Sequence, residues 1–342
     1  MEWIGYSFTK TLEILPDIPR WSMGIILGTG FVTYYLYGAV KQPILACSAG
    51  RFRDFLEAHV PAVTEKFWPT VWCFESRAQT VLASVIRQHM LPDIDYRREL
   101  LPLRDGGELA LDWLEIECEQ DAPLVLVIPG LTGNSQAEYI KSLMRAAQQQ
   151  GFHCAVLNNR GLGGIELKTP RTYCAANYED LMEVLDHLQK CKPNVPLMAV
   201  GISMGGLQLG NYLAEMGEKA KEKLIASMII SAPWDVFKAT ESIEQFGLNR
   251  LLNWHLAATT LHNKLEKIRV PTLCLSAADD PFQPLHAIPL EAAHQSEHVA
   301  ILVTARGGHI GWMEGILPLG HEQQYMSRLF AQFVEAMTKQ TL

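Results

Sequence analysis

The chain has 342 residues, of which 48% are hydrophobic and 19% charged, with a formal net charge of −8. That length suffices for one large domain or two small ones, the apolar content excludes low-complexity disorder, and the negative charge without a long Lys/Arg cluster argues against a nucleic-acid surface. The 7 cysteines include no C-x-x-C pair, so neither a disulfide framework nor a zinc-ligand spacing is legible.

The first element lies between Arg20 and Lys41, where the 20 residues Trp21–Val40 carry no charge. A run of about 20 such residues can span a bilayer as a helix, and Trp21, Tyr34, Tyr35 and Tyr37 suit its interfacial belt. Residues 1–45 are therefore expected to hold a membrane anchor spanning about 21–40. Competing readings are a cleaved signal ending near Ala46-Cys47-Ser48-Ala49, a lipid-attachment box at Ile44–Cys47, and a buried globular helix; Lys41 and Pro43 disfavour the first two. Lys10 and Arg20 before the stretch and Lys41, Arg51 and Arg53 after it do not fix an orientation. Residues 46–108 mix helical apolar spacing with the aromatic cluster Phe67, Trp68, Trp72 and Phe74, and read as a packed cover on the main domain.

From residue 109 to about 340 the pattern becomes regular. Leu109–Cys118 alternates apolar and polar residues as a half-buried strand does. Strands are expected at Pro123–Ile128, Phe152–Leu157, Pro196–Ile202, Leu224–Ile230, Pro271–Ser276 and His298–Thr304. Helical spacing falls at 136–150, 178–190, 206–215, 285–298 and 321–337. Alternating strands and helices specify an α/β fold with a mostly parallel central sheet flanked by helices, whose ligands bind beyond the carboxyl ends of the strands.

One motif sits in the position that chemistry needs. Gly201-Ile202-Ser203-Met204-Gly205 is G-x-S-x-G between a strand and a helix, and Gly206 follows. A serine on that sharp turn is lifted to the top of the sheet at a helix N-terminus, and the glycines leave room for close packing. A Gly-rich structural turn with a capping serine is the alternative. A nucleophilic serine needs a base, and the base an orienting acid. In chain order the acid comes next, at the end of strand PTLCLSA, where Asp280 beside Pro281 is favoured, with Asp279 left open and Asp235 a weaker candidate. Five histidines follow: His286, His294, His298, His309 and His321. His309 lies in a glycine-flanked loop after a strand and is expected to be the base, the others occupying solvated helix positions. Backbone N–H groups of Met204 and of Leu131, in Pro129-Gly130-Leu131-Thr132-Gly133, are expected to hold an oxyanion. Asn158–Gly164 is Gly-rich but lacks both nucleotide-binding patterns, so Arg160 reads as a structural donor. Glu179, Asp180, Glu183 and Asp186 read as a solvated helix face and the cysteines as buried small hydrophobes. Trp312, Met313, Ile316 and Leu317 read as entrance lining or core.

PGLTG (129–133), NNRG (158–161), GISMGG (201–206), SAPWD (231–235), LSAADDPF (275–282) and ARGGHIGWMEG (305–315) together resemble the membrane-anchored α/β-hydrolase-domain proteins, in the subgroup called AB hydrolase family four, over nearly the whole chain. The resemblance implies an α/β-hydrolase fold behind a single-pass anchor of type II orientation, a Ser203–Asp280–His309 triad, and action on lipid carboxylic esters of phospholipase, acylglycerol lipase or carboxylesterase type. It implies a membrane and a lipid ester as partners, no nucleic acid, and neither a metal nor an organic cofactor. Against the family pattern, Val236–Arg269 is short, so the lid at about 236–269 is expected to be reduced. A catalytically silent membrane interaction protein and an acyltransferase are the alternatives, although no H-x-x-x-x-D pattern supports the latter.

Overall fold

Short runs of continuous apolar sequence form the middle of one sheet, because parallel strands covered on both faces have no solvent side to fill with polar residues. The computed structural model describes residues 20–114, 121–235, 238, 260–316, 318, 324–340 and 342. Its parallel strands are β4 (Leu124–Ile128), β5 (His153–Asn158), β6 (Leu197–Ile202), β7 (Ala226–Ile230), β8 (Thr272–Ala277) and β9 (Val299–Thr304). Three further strands, β1 (Ile44–Ala46), β2 (Tyr96–Pro102) and β3 (Glu108–Leu114), pair antiparallel. The sheet order is β1-β9-β8-β7-β6-β4-β5-β3-β2. Ile128 pairs with Gly201, Ile202 with Ile230, and Ala277 with Thr304. This register levels the carboxyl ends, so the loops after β4, β6, β7, β8 and β9 emerge along one rim.

Side-chain alternation splits the core into two layers. Val125 and Val127 of β4 face one layer, with α4 (Glu138–Gln149) and the closing helix α8 (Tyr325–Lys339). Leu124, Leu126 and Ile128 face the other, with α5 (Glu179–Cys191) and α6 (Met204–Met216). Other α-helices among the described residues are α1 (Arg20–Tyr34), α2 (Arg51–His59), α3 (Ser76–Met90) and the short α7 (Leu290–Gln295).

The sheet is wider than the sequence pattern indicates. β1 has three residues and β2, YRRELLP, is an edge strand with polar residues on both faces, so neither carries a continuous apolar signal. The boundary expected at Leu109 falls within the β2–β3 hairpin, where Leu101 pairs with Leu109. β3 is also less alternating than expected: Leu109–Leu114 is buried throughout. Its Asp112 tolerates burial because Arg98 Nε and Nη2 each donate to its carboxylate at 2.7 Å, Ser135 Oγ at 2.5 Å and Asn158 Nδ2 at 2.8 Å. The helix expected over 285–298 is a 3₁₀ turn, Leu285–Ala287, and α7, separated by Pro289. Asp180 is a correction to the solvated face expected on α5, since it is buried and accepts from Arg160 Nε at 2.6 Å and Nη2 at 2.8 Å. Arg160 also reaches Asp105 at 2.8 Å, whose carboxyl that pairing holds down to about 2. Of the described cysteines, Cys47, Cys73, Cys154 and Cys274 are buried and Cys191 is exposed.

The N-terminal stretch is helical over Arg20–Tyr34, then passes into a π-helical turn, Tyr35–Ala39. Among the described residues no helix is long and apolar enough to cross a membrane. Trp21, Met23, Ile25, Ile26 and Leu27 of α1 are all exposed. The base of α1 rests on the cover region: Phe31, Tyr34 and Tyr35 stack around Phe74, and Tyr35 Oη donates to the Pro69 carbonyl at 2.6 Å. The aromatic cluster of that region divides, Phe67 being buried against Tyr325 while Trp68 and Trp72 are half-exposed. The lid expected at about 236–269 lies largely outside the described residues, as does His321.

Arg98 is partly exposed, whereas Asp112 is buried. Removing the guanidinium leaves a buried carboxylate with neutral donors, a loss of about 1–3 kcal/mol after allowing for water at the exposed side. Its partners hold the Asp112 carboxyl below the usual carboxylate range although burial opposes them. The pair therefore stabilises the fold above the unfolded-state Asp value of about 3.9, and that contribution fades as pH falls below it. Arg98→Met should lower the denaturation free energy at pH 7, and urea titrations should show the gap to wild type closing below about pH 4.

Candidate active site

The turn between β6 and α6 is set by a steric limit. A Cβ on Gly205 would stand 2.2 Å from the Ile128 carbonyl oxygen, and one on Gly201 would stand 2.4 Å from the Gly205 oxygen. With both positions bare, the first turn of α6 closes onto the ends of β4 and β6. Ser203, between them, is held at φ 51° and ψ −114°, its N–H donating to the Ile230 carbonyl at 2.8 Å. This conformation is strained for a side-chain-bearing residue. It turns Ser203 Oγ out at the carboxyl rim of the sheet.

Two other loops deliver partners to that hydroxyl. His309 Nε2 lies 3.1 Å from Ser203 Oγ, and His309 Nδ1 lies 2.8 Å from Asp280 Oδ2. The tautomer protonated at Nδ1 satisfies both contacts: it donates to Asp280 and leaves Nε2 free to accept the serine hydrogen. Asp280 is buried, and its other oxygen accepts the Phe282 N–H at 2.8 Å, which fixes the carboxylate plane. Asp279 points elsewhere, accepting the Gly308 N–H at 3.0 Å with Arg306 at 3.7 Å. Burial pushes its carboxyl up to about 6. Asp235 faces Lys238 and His262. His286 and His294 are exposed, and His298 hydrogen-bonds the Ser296 Oγ through its N–H at 3.3 Å, so none of these joins the serine. The structure therefore brings together Ser203, Asp280 and His309, and separates Asp279, which sequence spacing leaves open.

The loop after β4 stands opposite. Gly130 N–H donates to Tyr139 Oη at 3.0 Å and Thr132 N–H to Tyr173 Oη at 3.1 Å. Between these two tethers, the Leu131 N–H has no hydrogen-bond acceptor among the described residues, and neither has that of Met204 at the start of α6. Ser135 fastens the far end of the loop through Asp112 and Asn158.

Several contributors carry no sequence signal. Helix α3, in the cover region, grips the histidine loop. Thr80 Oγ1 accepts the His309 N–H at 2.9 Å, and Gln79 Oε1 accepts that of Met313 at 2.9 Å. The buried Arg87 donates to the Ile310 carbonyl at 2.7 Å, to Gln324 Oε1 at 2.6 Å, and to the Gly311 carbonyl. Burial lowers its guanidinium to about 10, against the opposing pull of the Glu138 carboxylate. The grip holds Ile310 at φ 61° and Trp312 at φ 45°, both costly for bulky residues. Phe282 sets its ring edge-on to His309 at 4.8 Å. Trp312 and Met313 are core, whereas Ile316 is exposed and Leu317 lies outside the described residues.

A serine, histidine and aspartate in hydrogen-bonded line, at a strand–turn–helix junction of this sheet, define an α/β-hydrolase site. The family model for the alpha/beta hydrolase fold matches residues 123–255. The chain is 37% identical to the Homo sapiens protein named phospholipase ABHD3, over 93% of this chain and 90% of that one. It is 24% identical to a Danio rerio protein named monoacylglycerol lipase ABHD2, over 94% and 93%. Among solved structures, Est1E from Butyrivibrio proteoclasticus with ferulic acid bound superposes with a TM-score of 0.56 at 15% identity, over 71% of this chain and 100% of that one. The chain belongs to the α/β-hydrolase-domain (ABHD) family.

Thr80→Val keeps the side-chain shape and removes the acceptor of the His309 amide. An orphaned amide there costs about 1–3 kcal/mol. Chemical denaturation should show that loss, and the His309 amide should exchange with solvent faster than in wild type.

Proposed function

We propose that the chain is a membrane-associated serine hydrolase that cleaves carboxylic esters of lipids. The observation that carries the chemistry is the continuous line Ser203 Oγ–His309 Nε2 and His309 Nδ1–Asp280 Oδ2. Ser203 Oγ attacks the ester carbonyl carbon as His309 Nε2 takes its proton, and Asp280 holds the imidazolium. The Leu131 and Met204 N–H groups receive the charge that develops on the carbonyl oxygen. His309 returns the proton to the departing alcohol. It then takes one from water, which attacks the acyl carbon, and passes it to Ser203 Oγ as the acyl–serine bond breaks and the acid leaves. No step requires a metal or an organic cofactor.

The rim around the serine supports an apolar acyl chain as substrate. Leu131, Phe282, Leu285 and Ile316 are exposed large hydrophobics on the loops after β4, β8 and β9. Relatives named phospholipase and monoacylglycerol lipase point to the same substrate class. A retained anchor at 21–40 fits the charge-free stretch and the exposed apolar side chains of α1. The anchor would place the catalytic domain on its C-terminal side, and α1 leads directly into the aromatic cluster beside the histidine loop. A shortened lid at 236–269 would leave the rim more open to water and to varied acyl lengths.

Ser203→Ala should abolish labelling by a fluorophosphonate probe and lower hydrolysis of acylglycerol and phospholipid esters by at least about 10³-fold. Labelling that persists in the folded variant would place the nucleophile elsewhere. For the anchor, Ile26→Arg puts a charge in mid-stretch at a cost of about 2.5–3.5 kcal/mol on insertion scales. Wild type should resist carbonate extraction from membranes, whereas the variant should be released in part.

A further inference from the structure

At the β2 edge of the sheet, four strands away from β6 and its serine, three side chains of different chemistry converge on one point. His187 and Cys191 lie four residues apart on α5 and so share one face of its last turn. Glu99, from the middle of the edge strand β2, meets them. His187 Nε2 is 2.7 Å from Glu99 Oε1 and 3.3 Å from Cys191 Sγ, and the three ligand atoms all lie within 4.8 Å of one another. The end of α5 leads into the amino end of β6, whereas Ser203 follows its carboxyl end. The group is therefore separate from the hydrolytic site.

We propose that Glu99, His187 and Cys191 form a binding site for a borderline divalent cation of the zinc class. The donor set is one imidazole nitrogen, one thiolate and one carboxylate oxygen, which suits such an ion rather than calcium or magnesium. Metal–ligand bonds of about 2.0–2.3 Å place tetrahedral ligands about 3.3–3.7 Å apart, so the His187–Glu99 and His187–Cys191 separations need changes of well under an ångström and the Glu99–Cys191 one at most about 1 Å. Two further features favour a cation over a plain hydrogen bond. A single ring nitrogen, Nε2, faces both the carboxylate and the thiol. Protonated, it satisfies the carboxylate, and unprotonated, it satisfies the S–H. A cation at the centre serves all three donors at once. The carboxylate is also pre-oriented: Trp113 Nε1 donates to Glu99 Oε2 at 2.7 Å, turning Oε1 toward the histidine. Ligating carboxylates characteristically carry such a supporting donor.

The surroundings leave room for a fourth ligand. Glu99 and Cys191 line an open cavity of about 490 Å³ with Arg97, Trp113, Leu114, His153 and Lys192. The nearby cations are engaged elsewhere, the Arg97 guanidinium lying over the Trp113 ring at 5.5 Å and Lys192 Nζ 3.2 Å from His153 Nε2. Binding releases the thiol proton of Cys191 to solvent and forms a metal–sulfur bond, with water completing the sphere. The ion would tie the edge strand β2 to α5, a covalent-like brace on an otherwise open sheet edge.

The test titrates the full chain with Co²⁺ and, separately, Zn²⁺. Wild type and Ser203→Ala should each take up one Co²⁺ with a thiolate-to-cobalt charge-transfer band. Cys191→Ser should lose the band, and Cys191→Ser and His187→Gln should each bind Zn²⁺ at least about 10-fold more weakly. Zn²⁺ should raise the thermal midpoint of wild type and leave that of Cys191→Ser unmoved, while fluorophosphonate labelling of Ser203 stays unchanged in both. Absence of saturable binding to wild type, or a charge-transfer band that survives in Cys191→Ser, overturns the site.

Discussion

The approach of α6 to the end of β4 is the constraint on which the site depends. The backbone of the helix's first turn lies so close to the Ile128 carbonyl that no side chain fits at 205. Nothing in Ser203 itself demands its unusual φ; the residue is bent because the glycines on either side let two backbones come together around it. The same approach sets the Met204 N–H, at the positive end of the α6 dipole, beside the serine. Geometry and electrostatics thus come from one packing fact. A larger residue at 201 or 205 would disturb both together.

The second constraint comes from sequence far from the hydrolytic motifs. Helix α3 contributes no group to the reacting atoms, yet Thr80, Gln79 and Arg87 hold successive points of the histidine loop. Ile310 and Trp312 adopt positive φ, which costs on the order of 1–3 kcal/mol each and persists where surroundings over-determine it. Arg87 supplies much of that determination. It is a buried cation facing carbonyls and an amide, so its removal would orphan several acceptors at once. The region that reads as a cover is therefore part of the machinery that sets the distance between His309 and Ser203. Through Phe74 it also carries the base of α1, so the N-terminal helix and the histidine loop rest on one scaffold.

What the sequence discloses follows from which features repeat or punctuate. Buried parallel strands are unbroken apolar runs, and all six are recognisable from composition to within about two residues. Ser203, Asp280 and His309 are legible because each follows such a run by a few residues at most, with glycine or proline one or two positions away. β1 and β2 are not, because one is three residues long and the other carries polar residues on both faces. Asp180 misleads for a related reason: three neighbouring acids suggest a solvated face, while the buried partner, Arg160, lies 20 residues away in the chain. Long-range pairing of this kind leaves no local pattern. The same holds for Thr80 and Arg87, which are unremarkable members of an amphipathic helix until the fold sets them under the histidine loop.

The adjacent carboxylates at 279 and 280 show how the fold decides what spacing leaves undecided. Both follow the same strand, and both are largely buried. The turn at Pro281 directs Asp280 toward His309 and supplies it with the Phe282 N–H, so its two oxygens have complementary donors. Asp279 receives one amide and a more distant guanidinium, and its Oδ2 has no hydrogen-bond donor. Burial, together with the like charge of Asp280, raises its carboxyl to about 6, against the pull of Gly308 and Arg306. One carboxylate is therefore held against the imidazole. Its neighbour fastens the start of the loop that carries the imidazole, through the Gly308 N–H one residue before His309. Exchanging the two would need the Pro281 turn to reverse, since the environment, not the side chain, distinguishes them.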